Sequence, residues 1–329
     1  MNDIIGFEKE FELISNNLID EKLNNSILIS GIKGIGKYLF IIKIIENYIN
    51  LKINPDQINH HLSLLNNNSH PNIRILKKLI DEKTNKIKNN IVIDQVRELN
   101  HFSHETNLIP ILPKFILIDS ADDLNLNSSN ALLKILEEPK NNTYFFLISH
   151  QPSTLLPTIK SRCLKINLST HNFNSFKNII LSQNVTPEDE ILKLLFDITN
   201  GSPGLSFDFD FNNILETFDQ LIYSIIQKDA FSEINNNTIN LFCNFENEKF
   251  KIHLSLIKFI LIVFKKVKMG VNIAENYLSK NILKIENLSE KITIDTIHNK
   301  LDYLINSEND LFTFNLDKKI FMINFFTNK

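Results

Sequence analysis

Apolar positions fall into two patterns along this chain. Short uninterrupted apolar runs, as expected of strands buried on both faces, occur in SILIS (Ser26–Ser30), in KFILIDSADDL (Lys114–Leu124) and in TYFFLIS (Thr143–Ser149). NIRILK (Asn72–Lys77) alternates and predicts a further strand. Between these runs apolar residues recur at helical spacing. Phe7, Phe11, Ile14 and Leu18 mark a helix within Asp3–Leu23, and Ile41, Ile42, Ile44, Ile45 and Ile49 mark one over Tyr38–Asn50. Val92, Val96 and Leu99 mark a third over Ile91–Phe102, and Leu132, Leu133 and Leu136 a fourth over Ser128–Glu138, stopped by Pro139. Strands alternating with helices predict an α/β domain built on a parallel sheet.

Past Leu168 the strand pattern ceases. Two short helices are expected up to Ser206, the second capped by Thr186 and opened by Pro187, followed by an aperiodic junction, FDFDFNN (Phe207–Asn213). Helices are then predicted at Ile214–Ile226, Glu246–Met269, Asn272–Ile282, Ile294–Asn306 and around Asp310–Phe326, which together suggest an antiparallel bundle. Phe312, Phe314, Phe321, Phe325 and Phe326 are expected mainly in its core.

The first strand runs directly into GIKGIGKY (Gly31–Tyr38), which holds three of the chain's seven glycines, Gly31, Gly34 and Gly36. The spacing is G-x-x-x-x-G-K, a loop whose backbone N–H groups wrap phosphates while a lysine, here Lys37, reaches the terminal ones. Asp119 ends the second strand on the carboxyl edge where α/β sheets place ligands. Two residues depart from a hydrolase. Tyr38 stands where a Ser or Thr hydroxyl would ligate Mg²⁺, and Ser120 stands where a glutamate would polarise the attacking water. The prediction is a nucleotide-shaped site without the parts to hydrolyse.

A length of 329 residues implies two or three domains. A formal charge of −3 and a pI near 6.3 argue against a free-standing reader of DNA sequence. Only two cysteines occur, Cys163 and Cys243, which suits a reducing compartment, and neither a signal peptide nor a bilayer-long apolar run is evident, so a cytoplasmic location is expected. His60, His61, His70, His101 and His104 lack the spacing of a metal site and read as loop and surface residues. Of 35 basic residues only Arg74, Arg97 and Arg162 are arginine. Where lysine is the default cation, arginine suggests a need for a planar, bidentate fork. A solvated helix face, or contact with DNA or a neighbouring subunit, are both open for Arg97.

The glycine loop, His70-Pro71, QVREL (Gln95–Leu99), FILIDSAD, NALLKILEEP (Asn130–Pro139), LLPTIKSRC (Leu155–Cys163) and GSPG (Gly201–Gly204) form an ordered set. In it the chain resembles bacterial clamp-loader subunits, the delta prime type of DNA polymerase III. The resemblance implies an AAA+ P-loop (RecA-like) nucleotide-binding domain over 1–166, a small helical lid over 167–206 and an all-helical collar over 207–329. It implies that Arg162 of the SRC motif acts in trans on ATP held by a neighbouring subunit, the alternative being an intramolecular pair with Glu137 or Asp122. Gly31, Gly34, Gly36, Lys37 and Asp119 would hold ATP or ADP without hydrolysis, or the loop would merely stay folded with none.

Active relatives carry an arginine where Gly204 stands, and a polar sensor where Ser149 and His150 stand. The region opening with Ile4–Gly6 would border the adenine. Many relatives hold zinc with four cysteines near residues 51–90, where this chain has none, so no zinc is expected. The implied partners are the tau/gamma and delta subunits, the sliding clamp and, through the assembly, primer-template DNA. The implied role is a non-hydrolysing part of the polymerase III holoenzyme, with no membrane contact. An active tau/gamma-like ATPase and a stand-alone P-loop NTPase are the competing readings.

Overall fold

The computed structural model describes residues 5–80, 87, 88, 90–140, 142–227, 232–271 and 281–327. The chain divides into two compact units, Met1–Ser175 and Phe176–Lys329. The second unit takes in most of the stretch expected as a lid together with the whole helical stretch expected as a collar.

The first unit carries a five-stranded sheet in the order β2-β3-β4-β1-β5, with every pairing parallel. Its strands are β1 (Ser26–Ser30), β2 (Ile73–Leu76), β3 (Lys114–Ile118), β4 (Thr143–Ser149) and β5 (Leu164–Asn167). The predicted P-loop, parallel-sheet class is the class observed. The helices of this unit are α1 (Glu8–Ile19), α2 (Lys37–Lys52), α3 (Pro55–Asn66), α4 (Ile93–His104), α5 (Leu126–Glu137) and α6 (Pro157–Arg162).

Successive side chains of a strand point to opposite faces, and here both faces are covered. Ile27 and Ile29, Phe115 and Leu117, and Phe146 and Ile148 join one core with Ile14 and Leu18 of α1 and Ile41, Ile44, Ile45 and Ile49 of α2. Leu28, Ile116, Ile118, Phe145 and Leu147 face the other core, with Val96 and Leu99 of α4, Leu132 and Leu136 of α5, and Ile159 of α6. The unbroken apolar runs are therefore what a sheet sandwiched between helix layers requires. Register pairs Ser30 with Ser149 and Ile118 with Leu147, so the chain leaves β1, β3 and β4 along one edge.

Two side chains pin the loops that frame the sheet. Lys114, 2% exposed, donates to the carbonyls of Phe102 and Glu105 at 2.5 Å each, adding a side-chain donor at the end of α4, where helical partners run out. Asn72 donates to the carbonyls of Ile109 and Leu112 and accepts from the Ile109 N–H.

Beside Asn72 lies a buried imidazole pair. His70 Nδ1 accepts from the Asn72 N–H at 3.2 Å, so its Nε2 carries the proton and donates to His61 Nδ1 at 3.1 Å. Burial, with His61 and then His60 nearby, pulls the His70 pKa down to about 4. An unfolded histidine titrates near 6.5 and takes up a proton that the folded one refuses. Stability is thus complete above that pH and falls as pH drops toward 4. The expected loss is about 2 kcal/mol by pH 5 from this residue alone. Denaturant titrations at pH 7 and pH 5 measure it, and His70→Asn, which retains an acceptor, should flatten the dependence. An unchanged slope in that variant would move the acid sensitivity elsewhere.

The second unit is helical throughout its described residues. Beyond α7 (Phe173–Leu181), which runs across the division, it holds α8 (Asp189–Thr199), α9 (Pro203–Ser206), α10 (Ile214–Ile226), α11 (Glu233–Cys243) and α12 (Asn247–Lys268). It continues with α13 (Ile282–Ser289), α14 (Ile294–Thr313) and α15 (Lys318–Thr327). Thr186 is not the cap of α8. The chain is still extended at Glu188, which takes the N-cap position, and Asp189 and Glu190 supply the first-turn acids. α8 ends on Asn200 in the left-handed region, as helix C-termini commonly do. Most of the helix predicted at Asn272–Ile282 lies outside the described residues. Phe321, Phe325 and Phe326 are buried while Phe314 is exposed, and Lys300 donates from the interior to the carbonyls of Phe325 and Phe326, capping α15.

Candidate functional site

The glycine loop follows β1 and enters α2 through Gly36, whose φ of +96° occupies the N-cap position. At Gly31, φ +149°, a Cβ would stand 2.6 Å from the Leu168 carbonyl oxygen and 2.7 Å from Ile35 Cδ1. Only glycine fits between the loop and the chain leaving β5. The loop thus has the shape that the G-x-x-x-x-G-K spacing predicts.

Its lysine faces inward. Lys37 is 3% exposed, and its Nζ donates to the carbonyls of Gly31 and Ile32, both at 2.6 Å. Burial lowers its pKa to about 8, against the opposing pull of Asp122 and Asp119. A third carbonyl of the loop, that of Ile35, meets the buried His171 Nε2 at 3.0 Å. The loop is therefore held by side chains of its own chain.

Asp119 lies within electrostatic reach of Lys37, Lys33 and Lys77. Burial and then Asp123 nevertheless raise its carboxyl above the ordinary range. Tyr38 packs its ring against the core, and burial and Asp119 raise its phenol pKa. The residue after the loop lysine thus offers a partly buried phenol in place of the short hydroxyl that would ligate a metal ion. Ser120 is buried, and its hydroxyl donates to Asp123, which also pairs with Lys78 at 3.0 Å. The residue that follows Asp119 is thus a hydroxyl engaged within its own turn.

Asp122, set aside as out of register in the sequence pattern, has a structural task. Its two oxygens accept from Ser149 Oγ at 2.6 Å and from the His150 N–H at 2.5 Å, clamping the end of β4 to the turn after β3. The sensor position is thereby spoken for by the chain itself. Burial, then the Lys37 charge, lowers the His150 pKa to about 4, so its ring is neutral, and its Nδ1 is buried with no hydrogen-bond partner. A three-residue turn, Ala121–Asp123, creates the clamp, which no spacing rule reveals.

Arg162 stands apart from this cluster. It ends the short helix α6, which Pro157 opens. There Nη2 meets Glu137 Oε1 at 2.6 Å and Nη1 donates to the Thr158 carbonyl at 3.1 Å, with the side chain 33% exposed. Cys163 is buried, and burial pushes its thiol up to about 11, so it packs rather than reacts.

The other arginines resolve into local roles. Arg74 lies 4.4 Å over the Phe102 ring, and Arg97 pairs with Asp94 on the solvated face of α4. Gly204 lies exposed in α9, in the other unit. Among the described residues no cluster of His, Cys, Asp or Glu could hold a metal ion, and no helix is long and apolar enough to cross a membrane.

The order of motifs within the first unit decides the family. A model of the family described as "DNA polymerase III, delta subunit" matches residues 6–172. The chain belongs to that family. The curated proteins it is similar to include several subunits of the delta prime type, alongside gamma and tau/gamma subunits. It is 45% identical over 102 residues to DNA polymerase III subunit delta' of Pseudomonas aeruginosa, covering 31% of this chain and 29% of that one. It is 27% identical over 193 residues to the Bacillus subtilis subunit delta', covering 57% and 55%. The chain thus spans less than two thirds of either relative. A solved Thermotoga maritima protein related to the gamma subunit aligns over 97% of both chains with 14% identity and a TM-score of 0.47. The family match ends at residue 172, close to the boundary of the first unit, so the helical second unit lies outside it.

Proposed function

We propose that this chain is a delta prime-type stator of a cytoplasmic clamp loader. It completes a ring with tau/gamma and delta subunits, does not hydrolyse ATP itself, and supplies Arg162 to ATP bound by a neighbour while the sliding clamp is loaded on primed DNA. In this reading residues 167–206 serve as a lid and 207–329 as a collar. The observation that carries the non-hydrolysing part is the engagement of Lys37 with the carbonyls of Gly31 and Ile32, beside a tyrosine at the metal position. A lysine occupied by its own loop, with no hydroxyl next to it and no glutamate after Asp119, lacks the three contacts that phosphoryl transfer needs. Nucleotide on the loop, if held, is a ligand and not a substrate.

The arginine part rests on chemistry. Transfer of a γ-phosphoryl group spreads negative charge over oxygens that a fixed guanidinium can bridge, and Arg162 ends a helix whose Ile159 is anchored in the core.

The purified chain is expected to show no ATP turnover above background and to co-elute with tau/gamma and delta subunits on gel filtration. Turnover by the isolated chain would restore the active-ATPase reading. A monomer indifferent to both subunits would remove the clamp-loader assignment.

A further inference from the structure

We propose that Glu137 is the positioning residue for Arg162, a carboxylate that presents the guanidinium to the neighbour's phosphate; this rests on the trans-acting role given to Arg162 above. Glu137 is the last residue of α5, where the negative end of the helix dipole disfavours an acid. The local electrostatics of α5 therefore do not account for it. Its carboxylate instead meets Arg162 Nη2 at 2.6 Å, and the Thr158 carbonyl takes Nη1 at 3.1 Å.

A guanidinium has five N–H donors. Two are used by this cradle and the remainder can address phosphate oxygens at the same time, so a phosphate need not displace Glu137. The cradle is rigid because its parts are: Leu132, Ile135 and Leu136 of α5 and Ile159 of α6 share one buried core with Cys163. A side chain with many rotamers is thereby held in one direction before the neighbour arrives, which lowers the ordering cost at the moment of reaction.

The ion pair is about half solvent-exposed, with side-chain exposures of 33% and 48%, so its charge contributes little to folding. What matters is an acceptor oxygen at the right place. Glutamine retains that oxygen and alanine does not. In the reconstituted loader, Glu137→Ala is expected to lower the maximal clamp- and DNA-stimulated ATP turnover about tenfold with little change in KM for ATP, and Glu137→Gln to stay within about twofold of the parent. In an Arg162→Ala background, Glu137→Ala should cost nothing further, because it acts only through the arginine.

Assembly checked by gel filtration, and an unchanged Tm, guard against a folding defect. Full activity of Glu137→Ala beside a collapsed Arg162→Ala would overturn this inference and leave the arginine role standing. Full activity of both would overturn the arginine role itself. Faster turnover in Glu137→Ala, a glutamine variant as poor as the alanine one, or an additive loss in the double variant would each show that Glu137 does not position Arg162.

Discussion

Arg162→Ala is expected to reduce stimulated ATP turnover by the assembled loader by about 10³-fold, with assembly intact. The size follows from what an arginine supplied in trans does: it meets charge that develops on a neighbour's nucleotide only during phosphoryl transfer. Loss should therefore fall on kcat more than on KM for ATP. Arg162→Lys should rescue little, since a single ammonium cannot bridge two oxygens as a planar fork does. The partly exposed pair with Glu137 contributes at most about 1 kcal/mol to the fold, so stability should barely move. Large catalytic loss with small stability loss is the diagnostic combination. Unchanged turnover would make the pair with Glu137 the whole purpose of Arg162.

The opposite combination is expected at Lys114. Lys114→Ala should destabilise the first unit by about 4 kcal/mol, measured by denaturant unfolding. The aliphatic stem fills fully buried space beside Phe102, over whose ring Nζ lies at 4.9 Å. Truncation leaves a cavity, removes the bond to the Phe102 carbonyl, which keeps only the Glu105 N–H, and takes the Nζ donor from the Glu105 carbonyl. Lys114→Met keeps the volume and forfeits the hydrogen bonds, so about half of the loss should return. Burial lowers the lysine pKa, and removing that charge from the interior offsets part of the lost bonding. A methionine variant as unstable as the alanine one would show that bonding, and not volume, dominates.

These two residues also mark where the sequence was legible. Strands β1 and β4 and helix α10 lie where their apolar patterns place them, because a strand buried on both faces leaves an unbroken apolar run and a helix buried on one face leaves a helical repeat. β5 was not anticipated: LKIN is an edge strand with Leu164 exposed, and it pairs only with β1. α11 escaped because its asparagine-rich run reads as loop, and α3 because only His61 and Leu65 of its residues are buried.

At the site, the loop from Gly31 to Lys37 was readable since backbone geometry dictates glycine there. Asp119 was readable since its strand was. The clamp by Asp122, the His171 contact and the turning of Lys37 onto its own loop were not, because each depends on side chains meeting across the fold. The pair of Arg162 with Glu137 was foreseeable only as one alternative.

The sheet order has a consequence for how this protein is born. Strand β1, interior to the sheet, lies near the start of the chain but takes both neighbours from much later, β4 through contacts such as Asn25 to Thr143, 118 residues apart, and β5 through Ser30 to Ile166, 136 apart. Loop closure over such spans makes parallel pairing slow. On the ribosome, the first strand therefore emerges as an unpaired apolar segment and must wait for nearly the whole first unit to be synthesised. Premature release before residue 167 would leave β1 without β5 and the glycine loop without the Leu168 carbonyl that confines Gly31.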